Sequence, residues 1–145
     1  MAAPAFTPYI SFPGTADEAF HYYQEVFGGE LEIGHYGDMP TTQFPMDPPA
    51  QAVAHAQLHD GLVTLAGGDS MPSPDGTMPG LTSQVYSFLI SLDAVETGEA
   101  LIGKLTDTGA EVTMAFAKAP WGDHYGRIRD RFGVQWDLLV PAGYV

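Results

Sequence analysis

The chain switches between two spacings of hydrophobic and polar residues, and the switches mark its elements. Residues 5–12 (AFTPYISF) alternate with period two, Tyr9 and Ser11 on one side and Ile10 and Phe12 on the other, as a half-buried strand does. Thr15 with Glu18 three residues later is a capping box, so a helix is predicted to begin at Ala16. Ala16, Ala19, Phe20, Tyr23 and Phe27 then share one helical face, Gly28-Gly29 ends the helix, and His21 falls off the stripe as a surface residue. Residues 30–36 return to strand alternation, and 52–60 with 62–66 form a hairpin about Asp60-Gly61.

The same order recurs in the second half. Residues 85–92 read as a strand, and Asp93 is placed to cap a helix carrying Ala94, Gly98, Leu101, Ile102 and Leu105 on one face. Gly109 ends that helix and 110–116 is a strand. Residues 121–140 (WGDHYGRIRDRFGVQWDLLV) then form a hairpin, with strands at 123–130 and 134–140 and a turn at 131–133. Val134, Trp136, Leu138 and Val140 share one face of the last strand, and Gln135, Asp137 and Leu139 the other. Asp137 thus stands in a hydrophobic strand, where its carboxylate needs water, a donor or a cation.

Two stretches have no periodicity. Residues 38–51 are rich in Pro and Met around Phe44, and 67–82 (GGDSMPSPDGTMPGLT) read as a linker. The predicted architecture is α+β: one domain over residues 1–145, built of two βαβββ modules (about 5–66 and 84–140) joined by linker 67–82. One helix cannot cover both faces of a sheet, so the two curled mixed sheets are expected to enclose a cleft. Tyr9, Ser11, Ser87, Gln135 and Asp137 are the expected lining.

Charge and composition narrow the function. Five Lys and Arg against 18 Asp and Glu give a net charge of −13, which excludes a nucleic-acid partner and favours cationic over anionic ligands. The basic cluster of Arg127, Arg129 and Arg131 lies inside the last hairpin. No apolar run is long enough to span a membrane, and Met1–Phe12 lacks the basic start and apolar block of a signal peptide, so a cytoplasmic protein is expected. With no cysteine, there is no disulfide, thiol nucleophile or thiolate site. His55 and His59 sit four apart, but on a strand they stand roughly 13 Å from each other at about 3.3 Å per residue, too far to share an ion.

Several residues tie the chain to a known family: Pro8-Tyr9-Ile10-Ser11-Phe12, Ala19 and Tyr22-Tyr23 on the helix, Phe27-Gly28-Gly29, Met39-Pro40 and His55-Ala56. Above all there are Trp121-Gly122, Gly126, Asp130, Phe132-Gly133 and Trp136. In these the chain resembles the PhnB-like branch of the vicinal oxygen chelate (glyoxalase, bleomycin resistance, extradiol dioxygenase) superfamily. The resemblance implies a homodimer and, in the enzymes, a divalent metal held by residues on the first and last strands of each module. Carried over by position, those sites are Tyr9, Ala66 or Gly67, Ser87 and Asp137, of which Asp137 alone is a normal ligand. No metal cofactor is therefore expected, although a divalent ion on Asp137 stays open. So does a carboxylate held by Tyr9, Ser87 or an arginine of the neighbouring strand.

His124 on the adjacent strand is a further cleft candidate, and His35 lies in the second strand of the first module. Trp121 and Trp136 read as packing residues, with Trp121 also suited to a cleft mouth. Met39, Met46, Met71, Met78 and Phe44 would make an adaptable apolar lid or a dimer contact. The resulting expectation is a protein that binds a small hydrophobic or cationic molecule without a tightly held metal. The alternative is a divalent-metal-dependent lyase, isomerase or dioxygenase acting on vicinal oxygens. A methyltransferase is not supported, because no Gly-rich nucleotide loop follows any strand.

Overall fold

The computed structural model describes residues 5–38, 49–78 and 80–142. Phe44, Met39 and Met46 lie outside the described residues. The chain divides into two compact units, Met1–Gly80 and Leu81–Val145, each an α+β module. In the first, β1 (Tyr9–Phe12), α1 (Ala16–Phe27), β2 (Glu30–His35), β3 (Val53–His59) and β4 (Leu65–Asp69) follow in order. In the second they are β5 (Phe88–Ser91), α2 (Val95–Thr106), β6 (Glu111–Lys118), β7 (His124–Arg129) and β8 (Gln135–Val140). Both are four-stranded mixed sheets of one topology, β1-β4-β3-β2 and β5-β8-β7-β6. In each, the first strand pairs in parallel with the last and the other pairs are antiparallel.

The predicted apolar stripe of α1 is its buried face: Ala16, Ala19, Phe20, Tyr23 and Phe27 are all buried, together with Ile10, Phe12, Ala56, Leu58 and Leu65 of the sheet. Phe20 meets Phe12 edge to face at 5.7 Å between ring centres. Each such side chain contributes about 1.5–3 kcal/mol when taken out of water. In the second module Leu101 and Leu105 of α2 are buried, as are Ile90, Ile128, Trp136, Leu138 and Val140.

Three expectations need correction. The capping box at the start of α1 does not form as drawn. Thr15 has φ −113° and ψ 14°, outside the extended conformation an N-cap side chain needs, and makes no side-chain cap. Instead Ala16 N–H donates to Asp69 Oδ1 at 2.9 Å, and Val53 N–H donates to Asp69 Oδ2 at 2.9 Å. The parallel pairing of Phe12 with Asp69 delivers that carboxylate to the helix start. Asp93 likewise does not cap α2, whose N-cap is Ala94 without a side-chain bond.

The linker does not begin at residue 67. Gly67, Gly68 and Asp69 complete β4, paired with Ile10, Ser11 and Phe12. Glycine at 67 reflects crowding: a Cβ there would lie 2.3 Å from the Ile10 carbonyl oxygen and 3.1 Å from the Phe20 ring. Gly67→Ala should therefore lower stability by about 1–3 kcal/mol, the range for overpacking a core. Urea unfolding checks this, since a true linker glycine would tolerate the change.

Candidate functional site

The second module carries its chemistry on the face of the sheet turned away from Trp136 and Leu138. The register sets Arg127 opposite Asp137 across β7 and β8, and Leu89 beside Asp137 across β5 and β8. Alternation then puts Tyr125, Arg127, Leu89 and Asp137 on one face, and Ile128, Trp136 and Phe88 on the other. Because β8 is an inner strand, Asp137 is only 6% exposed. Its carboxylate is nonetheless fully engaged. Arg127 Nε donates to Oδ1 at 2.7 Å, while Tyr125 OH, Ser87 Oγ and Arg127 Nη2 donate to Oδ2 at 2.5, 2.9 and 3.2 Å.

The electrostatics follow from these contacts. Burial pushes the Asp137 carboxyl upward, but the hydrogen bonds from Arg127, Tyr125 and Ser87 outweigh it and hold the group below its ordinary value. Its bond to Asp137, with burial adding to it, raises the Tyr125 phenol. The ion pair with Asp137 likewise raises the Arg127 guanidinium. The unit is thus a carboxylate and a guanidinium neutralising each other, with a phenol locked as donor. Leu89 and Met114, the latter paired with Arg127 across β6 and β7, are exposed beside it.

The turn that sets this register is built by Asp130, a buried carboxylate. Oδ1 accepts from Phe132 N–H at 2.8 Å and Val134 N–H at 3.1 Å, and Oδ2 from Trp136 Nε1–H at 2.9 Å. Gly133 follows with φ 97°, a left-handed conformation that favours glycine.

The sequence candidates separate. Ser87 and Asp137 are bonded to each other, and Gln135, on the same strand face as Asp137, donates from Nε2 to the Tyr86 carbonyl at 3.4 Å. His124 falls on the opposite face of β7 from Arg127, in edge contact with Phe116 at 4.9 Å, and so does not join Asp137. Trp121 is 70% exposed in the turn before β7. Tyr9 and Ser11 lie on the exposed face of β1, where Tyr9 stacks on His55 at 6.4 Å. His35 bonds Asp17 through Nε2 at 2.5 Å. Phe44 lies outside the described residues. Tyr125 was not singled out from the sequence, and Arg127 only as one of three arginines. Counting pairs back from the Asp-Arg-Phe-Gly turn brings both to the face of Asp137.

A divalent metal of the kind the superfamily's enzymes use does not fit this donor set. Both Asp137 oxygens are occupied, a guanidinium stands in contact with them, and the neighbouring ligand position is a serine already bonded to the carboxylate. Elsewhere among the described residues, ligand atoms of Glu30, His59 and Asp60 lie within 4.8 Å of one another. There His59 faces Asp60 Oδ2 through Nδ1 and Glu32 Oε2 through Nε2, both at 2.9 Å. Its hydrogen bonds to Asp60 and Glu32 raise its pKa, and both ring nitrogens face carboxylates.

Comparison with known proteins agrees with the fold of the two modules. Residues 8–138 match the model of the Glyoxalase/Bleomycin resistance protein/Dioxygenase superfamily, and the chain belongs to that superfamily. It is 33% identical over 145 residues to Protein YjdN of Escherichia coli (strain K12), covering 92% of this chain and 93% of that protein. The crystal structure of protein PA1353 from Pseudomonas aeruginosa is similar with a TM-score of 0.77 at 29% identity, covering 95% of this chain and 98% of that one. A Bacillus cereus PhnB protein, described as a putative 3-demethylubiquinone-9 3-methyltransferase, shares the fold at a TM-score of 0.71 and 20% identity. There the match covers 95% of this chain and 100% of that one.

Asp137→Asn should cost about 2 kcal/mol at neutral pH, because it leaves the Arg127 guanidinium uncompensated. The carboxyl is lowered from 3.8, so its contribution is complete above that pH and is lost as pH falls through the lowered value. The stability gap between wild type and variant should therefore hold from neutral pH to about 4 and close below it. Urea unfolding at a series of pH values measures this; a gap independent of pH would contradict the pairing.

Proposed function

We propose that the protein is a metal-independent small-molecule binder of its superfamily, acting in the cytoplasm as a homodimer. The ligand is a hydrophobic molecule laid on the open face of the second sheet. The observation that carries this reading is the closed hydrogen-bond set of Asp137. A carboxylate satisfied by Arg127, Tyr125 and Ser87 has no call for a metal, and it offers a ligand a neutral polar floor. Exposed Leu89 and Met114 flank that floor and supply apolar contact. The surrounding charge of −13 disfavours an anionic ligand. Pairing of two chains is supported by β6, an edge strand whose residues are mostly exposed and whose backbone can be covered by a partner.

A neutral solvatochromic dye measures the open face. Leu89→Glu should weaken its binding about tenfold by putting a charge where the apolar contact is made. Mn²⁺, Ni²⁺ or Zn²⁺ should leave the melting temperature of wild type and Asp137→Asn alike. Saturation about a hundredfold above Kd would add about 2.7 kcal/mol if a metal bound. A metal-dependent rise in wild type that vanishes in Asp137→Asn would restore the metal-dependent lyase, isomerase or dioxygenase. Sedimentation at micromolar concentration tests the dimer.

A further inference from the structure

A cavity of about 450 Å³ lies wholly within the first module, beside the start of α1 and the end of β4. Its size falls within the usual range for small-molecule sites, about 300–1,000 Å³. Met71, Met78, Pro49 and Pro72 make its apolar walls, and Asp17 and Asp69 bring carboxylates to it. Among the described residues, no Lys or Arg lines it. The start of a helix ordinarily attracts an anion, because its first N–H groups are unpaired and the helix dipole is positive there. Here the Ala16 N–H is already bonded to the Asp69 carboxylate. The site therefore repels a second anion, and at its edge stands a second carboxylate, Asp17, half exposed and shared with the His35 ring at Oδ2 and the His21 ring at Oδ1, for which an ammonium would compete.

We propose that this cavity is a binding site for a protonated amine carried on an apolar body. The ammonium hydrogen-bonds to Asp17 and the Ser70 hydroxyl, and the apolar body lies between the methionines. Methionine thioethers are flexible and polarizable, so they adapt to apolar groups of differing outline. Asp69 is a positioning residue: its two hydrogen bonds tie the start of β3 and the start of α1 together and so hold two walls of the cavity at a fixed separation. The inference does not rest on the reading of the second sheet, since every residue it uses lies in the first unit.

Titration calorimetry with 4-phenylbutylamine, its alcohol 4-phenylbutanol and its acid 4-phenylbutyrate tests the proposal on the full chain. The amine should bind about tenfold more tightly than the alcohol, and the acid should not bind. Asp17→Asn should weaken the amine about threefold and leave the alcohol unchanged, as loss of one partly exposed ion pair does. Ser70→Phe, which fills the cavity, should abolish binding of the amine, and Leu89→Glu should leave it unchanged. Circular dichroism and melting of each variant establish that it is folded. Should Ser70→Phe prove unfolded, Met78→Trp fills the same space from the loop side and is read in its place. Equal binding of amine and alcohol, no binding of the amine at millimolar concentration, or amine binding kept in the filled cavity but lost in Leu89→Glu would each overturn the assignment.

Discussion

Parallel pairing of the first and last strands closes each module, and the rest of its structure follows from that pairing. A parallel neighbour cannot be reached by a tight turn, so the chain must travel through a helix and two more strands before returning. The return sets Asp69 beside Phe12 in one module and Asp137 beside Leu89 in the other. The two carboxylates stand two pairs apart along the equivalent returning strands and are put to opposite uses. Asp69 caps the helix and joins it to β3, whereas Asp137 turns to the helix-free face and is held by side chains of β7 and the segment before β5.

One helix per four-stranded sheet imposes a second constraint. The covered face collects Phe12, Phe20 and Tyr23 in the first module and Ile128, Trp136 and Leu138 in the second. The uncovered face must then be solvated or used, and in the second module it carries the Arg127–Asp137 pair and exposed Leu89. Superfamily membership fixes the fold, and the particular side chains on that face decide the chemistry. Here an arginine is bonded to both oxygens of the carboxylate.

The fold was legible in the sequence wherever periodicity spoke. The start of α1 at Ala16, its buried stripe and the last hairpin all lie where alternation and turn residues put them. Reading failed where a residue's role comes from a strand distant in sequence. Gly67-Gly68-Asp69 look like linker because small residues mark both flexibility and crowding, and only the register with β1 separates the two. Thr15 looked like a cap because its true rival, Asp69, lies 53 residues from Ala16. Asp137 was recognised as needing partners, and an arginine of the neighbouring strand was among those considered. Choosing Arg127 among three arginines, and seeing that His124 faces away, required the register of β7.

The two tryptophans divide between the two environments of the last hairpin. Trp136 is 2% exposed with its indole N–H given to Asp130, and Trp121 is 70% exposed at the turn before β7. Their intrinsic emission should accordingly be a sum of a blue component shielded from collisional quenchers and a red component open to them. The blue component follows the integrity of the hydrophobic core, while the red one follows the surface turn. One spectrum thus distinguishes local loosening of the turn from loss of the packed module, without an added label.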